Sequence, residues 1–294
     1  MSTDGLQRFL LAGRNPDGGW GYYPRRSSRL EPTCWALLAL RDALPEASLR
    51  TVIERWPSEG GLLLERAGGE SNYAFHALGL LVLHAFRAEH ADTNARLIRG
   101  LQGVSLFRVD GANTSNRQNN TLQGWSWIPA TFSWVEPTAW ALLALKKFRS
   151  VAPAQIESGR LAEAEALLID RGCVQGGWNY GNSNMFGREL HPYVPTTAIA
   201  LLALQDRSRA DAFQRGVKFL SGSAAAEDSA YAMSLAHIAL SVLATMSTAS
   251  APDPSLGETL GRQIAITCDL GNQLGAAQSL YALRKYDNHA AFRV

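Results

Sequence analysis

The chain has 294 residues, of which 46% are apolar and only 18% charged, with a formal net charge of +2, eight Trp and three Cys. A folded chain of this length removes roughly three quarters of its unfolded surface from water, so a large core is within reach and disorder is disfavoured. The near-neutral charge leaves no electrostatic footprint for nucleic acid, and the longest apolar stretch, 77–88 with His84 inside it, is too short for the ~20 residues a bilayer requires. Three widely spaced Cys make no disulfide framework, and the start MSTDGLQRFLLAGR lacks the basic-then-apolar pattern of a secretory signal. A cytoplasmic setting is the expectation.

In chain order, amphipathic segments alternate with segments that are apolar on every side. The first amphipathic segment is 6–12. It is followed by GGWGYYPRRSSRLEPTCWALLAL at 18–40, where a Gly-Trp turn and a polar loop lead through a Pro-Thr step into an Ala/Leu run. Pro suits the first turn of a helix, and a run apolar all round belongs inside a protein. The alternation recurs more weakly as an amphipathic 47–56 with an apolar 72–87. The amphipathic 94–101 comes next, and then 104–120, rich in Asn, Gly and Ser, which reads as a lid or a mobile loop. QGWSWIPATFSWVEPTAWALLAL at 123–145 repeats the first strong motif. The segment 156–172 follows, with the charges of Leu161-Ala-Glu-Ala-Glu-Ala-Leu-Leu-Ile on one side. GGWNYGNSNMFGRELHPYVPTTAIALLAL at 176–204 is the third strong copy, and 210–220, 229–243, 256–268 and 272–286 complete the alternation. Six outer and six inner helices, about 49 residues per pair, predict an all-α chain, one (α/α)6 toroid spanning 1–294 as a single domain with no strand-rich region.

The three strong copies resemble the QW-type repeats of squalene–hopene cyclases and the repeats of protein prenyltransferase β subunits, over essentially the whole chain. The resemblance implies an α/α toroid, an isoprenoid-type or polycyclic apolar ligand in the central cavity, and Trp20, Trp125 and Trp178 as braces between helices, with Gln123 and Gln175 as polar partners. Such cyclases carry an Asp-x-Asp-Asp acid at the start of an inner helix. This chain instead has single carboxylates in Leu-Glu-Pro-Thr at 30–33 and Val-Glu-Pro-Thr at 135–138, and none in Tyr-Val-Pro-Thr-Thr at 193–197. The prenyltransferase side of the resemblance implies Zn at inner-helix starts, for which Glu31, Cys34 and His76 are the nearest residues. Glu-x-x-Cys is one residue off the family's Asp-x-Cys, so Cys34 reads as a core cysteine, His76 as a hydrogen-bonded histidine, and no cofactor is expected.

In a toroid the inner helices share one direction, so their N-termini gather at one mouth, where free N–H groups attract anions. Arg25, Arg26, Arg29, Arg117, Arg188 and His191 lie in turns leading there and predict a basic rim. Tyr22, Tyr23, Trp35, Tyr73, His76, Trp127, Trp134, Trp140, Tyr180 and Tyr231 predict an aromatic well able to face cationic intermediates. Glu31 and Glu136 are the candidate catalytic acids if burial raises their pKa, or else simple partners of helix N-termini. Acid-initiated cyclisation of an isoprenoid, a non-catalytic toroid holding an apolar ligand or a partner protein, Zn-dependent prenyl transfer, and a paired-carboxylate glycan site all stay open, as does peripheral membrane contact.

Overall fold

The computed structural model describes residues 2–45, 48, 56, 60–86, 91–109, 115–284 and 286–294. The inner helices are α2 (Leu30–Ala39), α3 (Tyr73–Ala85), α5 (Val135–Arg149), α7 (Val194–Ala203), α9 (Ala230–Thr245) and α11 (Gln273–Arg284). The outer helices among the described residues are α1 (Thr3–Ala12), α4 (Ala91–Gln102), α6 (Ser158–Asp170), α8 (Asp211–Ser223) and α10 (Pro254–Asp269). The outer helix expected at 47–56 falls outside the described residues except for Ser48 and Trp56, both buried.

Each inner helix packs on the next, α2 on α3, α3 on α5, α5 on α7, α7 on α9 and α9 on α11, and α11 closes back on α2. The fold is therefore an all-α toroid. The inner helices bury nearly every side chain, as their all-round apolar sequences require, whereas the outer ones bury a stripe such as Leu161, Ala164, Leu167 and Leu168 of α6. One small departure from the all-helical expectation is a two-residue hairpin, β1 (Asn184–Met185) with β2 (Arg188–Glu189). Phe186 and Gly187 turn it at positive φ, 49° and 75°.

The Gly-Trp and Pro-Thr elements of the repeat turn out to be one clamp. Trp20, Trp125 and Trp178 donate their backbone N–H to the hydroxyls of Thr33, Thr138 and Thr197 at 2.8–2.9 Å. Each hydroxyl donates back to the same Trp carbonyl at 3.2–3.3 Å. The indole N–H of each Trp reaches the carbonyl of Leu10, Leu101 or Leu168 at the end of an outer helix, at 2.6–2.8 Å. Trp therefore joins outer to inner helix while satisfying its own polar groups in a site it leaves fully buried. The glycine before it follows from the same closeness: a Cβ on Gly124 would lie 2.2 Å from the Thr138 hydroxyl oxygen, and on Gly177 2.6 Å from that of Thr197. The glutamines serve loops rather than helices. Gln123 donates to the Leu106 carbonyl at 2.8 Å, and Gln175 meets His191 at 2.9 Å.

Neighbouring repeats are joined at the inner-helix starts. Leu30 N–H donates to the Glu65 carbonyl, Tyr73 to Trp127, Val135 to Tyr180, and Gln273 to Tyr22, all at 2.8–2.9 Å. These bonds replace side-chain caps on α2 and α5, which have none, while Asn72 caps α3. Pro32 and Pro137 remove a further N–H from each of α2 and α5. Little remains at these helix starts of the anion cradle that six unused N-termini would form.

Residues Tyr286–Phe292 form a 3-10 segment that enters the ring and packs against α3 and α9. Phe292 is 1% exposed and stacks among Trp35, Trp140 and Tyr281 with ring centroids 5.4–5.9 Å away. Its carbonyl accepts from Gln205 at 2.9 Å, and Lys147 holds the Ala290 and Arg293 carbonyls at 2.9 and 2.6 Å. The middle of the ring is thus filled by aromatic side chains.

Candidate functional site

The Leu-Glu-Pro-Thr and Val-Glu-Pro-Thr steps place Glu31 and Glu136 in the first turns of α2 and α5, two seats apart in the ring. Each carboxylate is held by a tyrosine from another element. Tyr22 OH donates to Glu31 Oε2 at 2.8 Å, and Tyr231 OH, from the first turn of α9, donates to Glu136 Oε1 at 3.0 Å. One helical turn below, Trp35 and Trp140 form the floor, edge to face with centroids 6.2 Å apart.

Burial pushes the Glu31 carboxyl up to about 7, with the charges of Glu136 and Glu65 adding to the rise and the Tyr22 hydrogen bond opposing it. Burial also raises Glu136, against the hydrogen bond from Tyr231. Burial and the adjacent carboxylates raise Tyr22 and Tyr231 well above the ordinary phenol range, so both remain donors at neutral pH. Near neutrality Glu31 exists in both protonation states, which is the condition for moving a proton in either direction.

Beside this pair lies an aromatic shelf. Trp127 packs on Trp134 at 5.5 Å and on Tyr180 at 6.1 Å, and Tyr180 packs on Tyr193 at 5.4 Å. Tyr180 and Tyr193 are exposed, and Trp127 and Trp134 are partly so. Exposed Ile128, Phe132 and Phe186 on the loops before α5 and α7 extend the apolar surface.

Other expected residues lie elsewhere. His76 is fully buried, its Nδ1 accepting from Leu63 N–H at 2.8 Å and its Nε2 donating to the Leu97 carbonyl at 3.1 Å; burial lowers its pKa to about 4. Both ring nitrogens are spent on backbone, so His76 offers nothing to a ligand or a metal. Cys34 is buried, and burial raises its thiol. Among the described residues no three His, Cys, Asp or Glu side chains converge to hold a metal ion, so Glu31, Cys34 and His76 do not form the set that Zn would need. Tyr73 lines a separate groove of about 540 Å³ together with Arg96 and Arg99.

Arg25, Arg26 and His191 sit on exposed loops, Arg25 at φ 63°, and Arg188 is exposed on strand β2 of the hairpin. Arg29 is paired with Glu65 at 2.8 Å and Arg117 with Glu189, so two of the expected rim cations are already neutralised. Phe292 and Tyr281 complete the floor, and Tyr193 the shelf. Phe292 and Tyr281 lie outside the strong repeats, which is why sequence reasoning missed them, whereas Tyr193 holds in the third copy the place that Trp134 holds in the second, a signal that could have found it.

No family model matches the chain, and no curated protein matches it. Solved structures do resemble it. The type II terpene cyclase MstE from Scytonema is 15% identical, with 98% of each chain covered and a TM-score of 0.59. An α-amylase from Clostridium perfringens is 11% identical, with 97% of this chain and 98% of that chain covered and a TM-score of 0.64. A cellobiose 2-epimerase from Spirochaeta thermophila is 9% identical, with 96% and 94% covered and a TM-score of 0.57. What these proteins share with this chain is the α/α-toroid fold, on which quite different reactions are built.

Proposed function

We propose that this protein is a proton-transfer toroid for an isoprenoid-type ligand. Glu31 in its protonated form delivers a proton to a carbon–carbon double bond, Glu136 remains ionised beside it, and the aromatic shelf faces the carbocation so formed. Loss of a proton from the ligand to a carboxylate or to water then completes an isomerisation, and the reading asks for no cofactor. The observation that carries it is the pair of tyrosine-bonded carboxylates in electrostatic contact above a tryptophan floor. Burial resists ionisation of both carboxyls and the charge of Glu136 adds to the rise at Glu31, which favours a proton retained on Glu31 near neutral pH. Trp and Tyr faces supply cation–π stabilisation without acting as nucleophiles. Because Trp35, Trp140 and Phe292 fill the ring below, the ligand lies across the mouth rather than threading the axis. Exposed Ile128, Phe132 and Phe186 beside that mouth suit transfer of such a ligand from a membrane surface, although among the described residues no helix is long and apolar enough to cross one.

The filled ring also favours a second reading, a toroid that binds an apolar ligand or a partner protein without turnover. Incubation with linear isoprenoid alcohols, diphosphates and hydrocarbons, followed by mass spectrometry of products, separates the two. Under the first reading, products form and fall on the order of 10²–10⁴-fold in Glu31→Gln. Products that persist unchanged in the Glu31→Gln, Glu136→Gln double variant overturn the acid assignment. Saturable binding with no product supports the second reading.

A further inference from the structure

A cleft of about 200 Å³ lies beside the mouth, where Phe107, Val109, Asn116, Gln118 and Asn120 meet the loops before α5 and α7. Its lining combines the rings of Phe107, Phe132 and Trp134 with the amides of Asn116, Gln118 and Asn182. The amides are wired together. Gln118 Nε2 donates to Asn182 Oδ1 at 2.5 Å and to Asn120 Oδ1 at 3.3 Å, and Asn120 Nδ2 donates to Asn116 Oδ1 at 3.0 Å. Among the described residues this wiring leaves Gln118 Oε1 buried with no partner. It also leaves the side-chain NH₂ groups of Asn116 and Asn182 with none of the hydrogen bonds made by their neighbours. An unmet buried acceptor costs about 1–3 kcal/mol unless a ligand or water brings it a donor.

We propose that this cleft binds a neutral carbohydrate ring. Vicinal hydroxyls both donate and accept, which is what an unmet amide oxygen next to unused amide N–H groups calls for. The apolar C–H edge of a sugar needs a ring face. Phe107 and Phe132 offer theirs at 57% and 52% exposure, and the Trp134 indole is held against Gly181, where a Cβ would come within 2.8 Å of it. Charge selects against anions, because the one lining cation among the described residues, Arg171, is already committed to Asp170 at 3.4 Å and to the Asn119 carbonyl at 3.5 Å. Size selects a single ring over an extended chain, since drug-sized sites run to roughly 300–1,000 Å³. The cleft shares Trp134 and Phe132 with the aromatic shelf, but its amides are distinct from the proton-transfer groups, since none of them is hydrogen-bonded to Glu31 or Glu136.

Saturation-transfer NMR on the full chain with methyl α-glucoside, methyl β-galactoside and methyl α-mannoside tests this, with methyl glucuronide and a tripeptide as controls. The expected result is saturable transfer to at least one neutral glycoside, with a dissociation constant on the order of 1 mM. Binding weakens roughly tenfold in Gln118→Leu and in Asn182→Leu, and is retained in Glu31→Gln, whose thermal melts confirm a folded protein. Absence of saturable transfer from every neutral glycoside overturns the proposal. So does binding that is unchanged in both amide variants, or binding confined to the glucuronide or the peptide.

Discussion

A carboxyl whose pKa is raised by burial disfavours the folded state once it ionises, so Glu31 carries a cost that its environment imposes. In the unfolded chain it titrates near the usual carboxylate value, whereas in the folded chain it does so at about 7. Between those values the native state holds the extra proton, so its contribution to stability is present at low pH and is lost as pH rises through 7. Glu31→Gln lacks this dependence. The variant is therefore expected to match the parent near pH 5 and to exceed it by roughly 1–3 kcal/mol at pH 8, read from denaturant unfolding at the two pH values. A carboxylate that merely balances a helix N-terminus predicts the opposite sign, with the Gln variant less stable at pH 8. Glu31 and Glu136 were legible in the sequence because they occupy one position in two copies of a motif. Their tyrosine partners were visible only as members of an aromatic set, since pairing Tyr231 with Glu136 requires contact between residues 95 apart.

At the scale of the element, the repeat is a mechanical joint. Recurrence at the same place in three copies singles out Trp20, Trp125 and Trp178, and the resemblance to QW-type repeats implies their role as braces. Neither shows that Thr33, Thr138 and the second Thr of Pro195-Thr196-Thr197 are the other half of the joint, since the two-way bond between hydroxyl and Trp backbone forms only when inner helix and turn close together. Thr138→Val keeps shape but strands the buried Trp125 N–H, and its expected cost is about 1–3 kcal/mol in urea unfolding. Gly124→Ala must displace the same Thr, because its Cβ has no room at 2.2 Å. It is expected to cost at least as much, with Thr138→Val epistatic to it rather than additive. Another joint was invisible in sequence. Lys146, 2% exposed in the last turn of α5, pairs with Glu165 of α6 at 2.8 Å and with Asp206. In a linear reading it is one more cation at a helix C-terminus.

For the whole molecule, toroid closure was legible because periodicity counts helices. What fills the ring was not. The segment Tyr286–Phe292 carries no repeat signal, yet it supplies the aromatic side chain on which Trp35, Trp140 and Tyr281 converge. Truncating it at one residue, Phe292→Ala, removes packing from three rings at once. The expected loss is about 3–5 kcal/mol, seen as a lowered Tm with little change in helical circular dichroism.

The ring order also decides what sets the chemistry. Glu31, Glu136 and Tyr231 stand on α2, α5 and α9, alternate seats of a six-seat circle, while α3, α7 and α11 sit between them. The intervening helices act as gauge blocks: their girth fixes how far apart the two carboxylates stand, and hence how strongly each feels the other's charge. A volume change on the inward packing of α3, at a position touching neither acid, is expected to shift the proton affinity of Glu31 through the Glu136 charge, a smaller effect than a change in the burial of Glu31 itself.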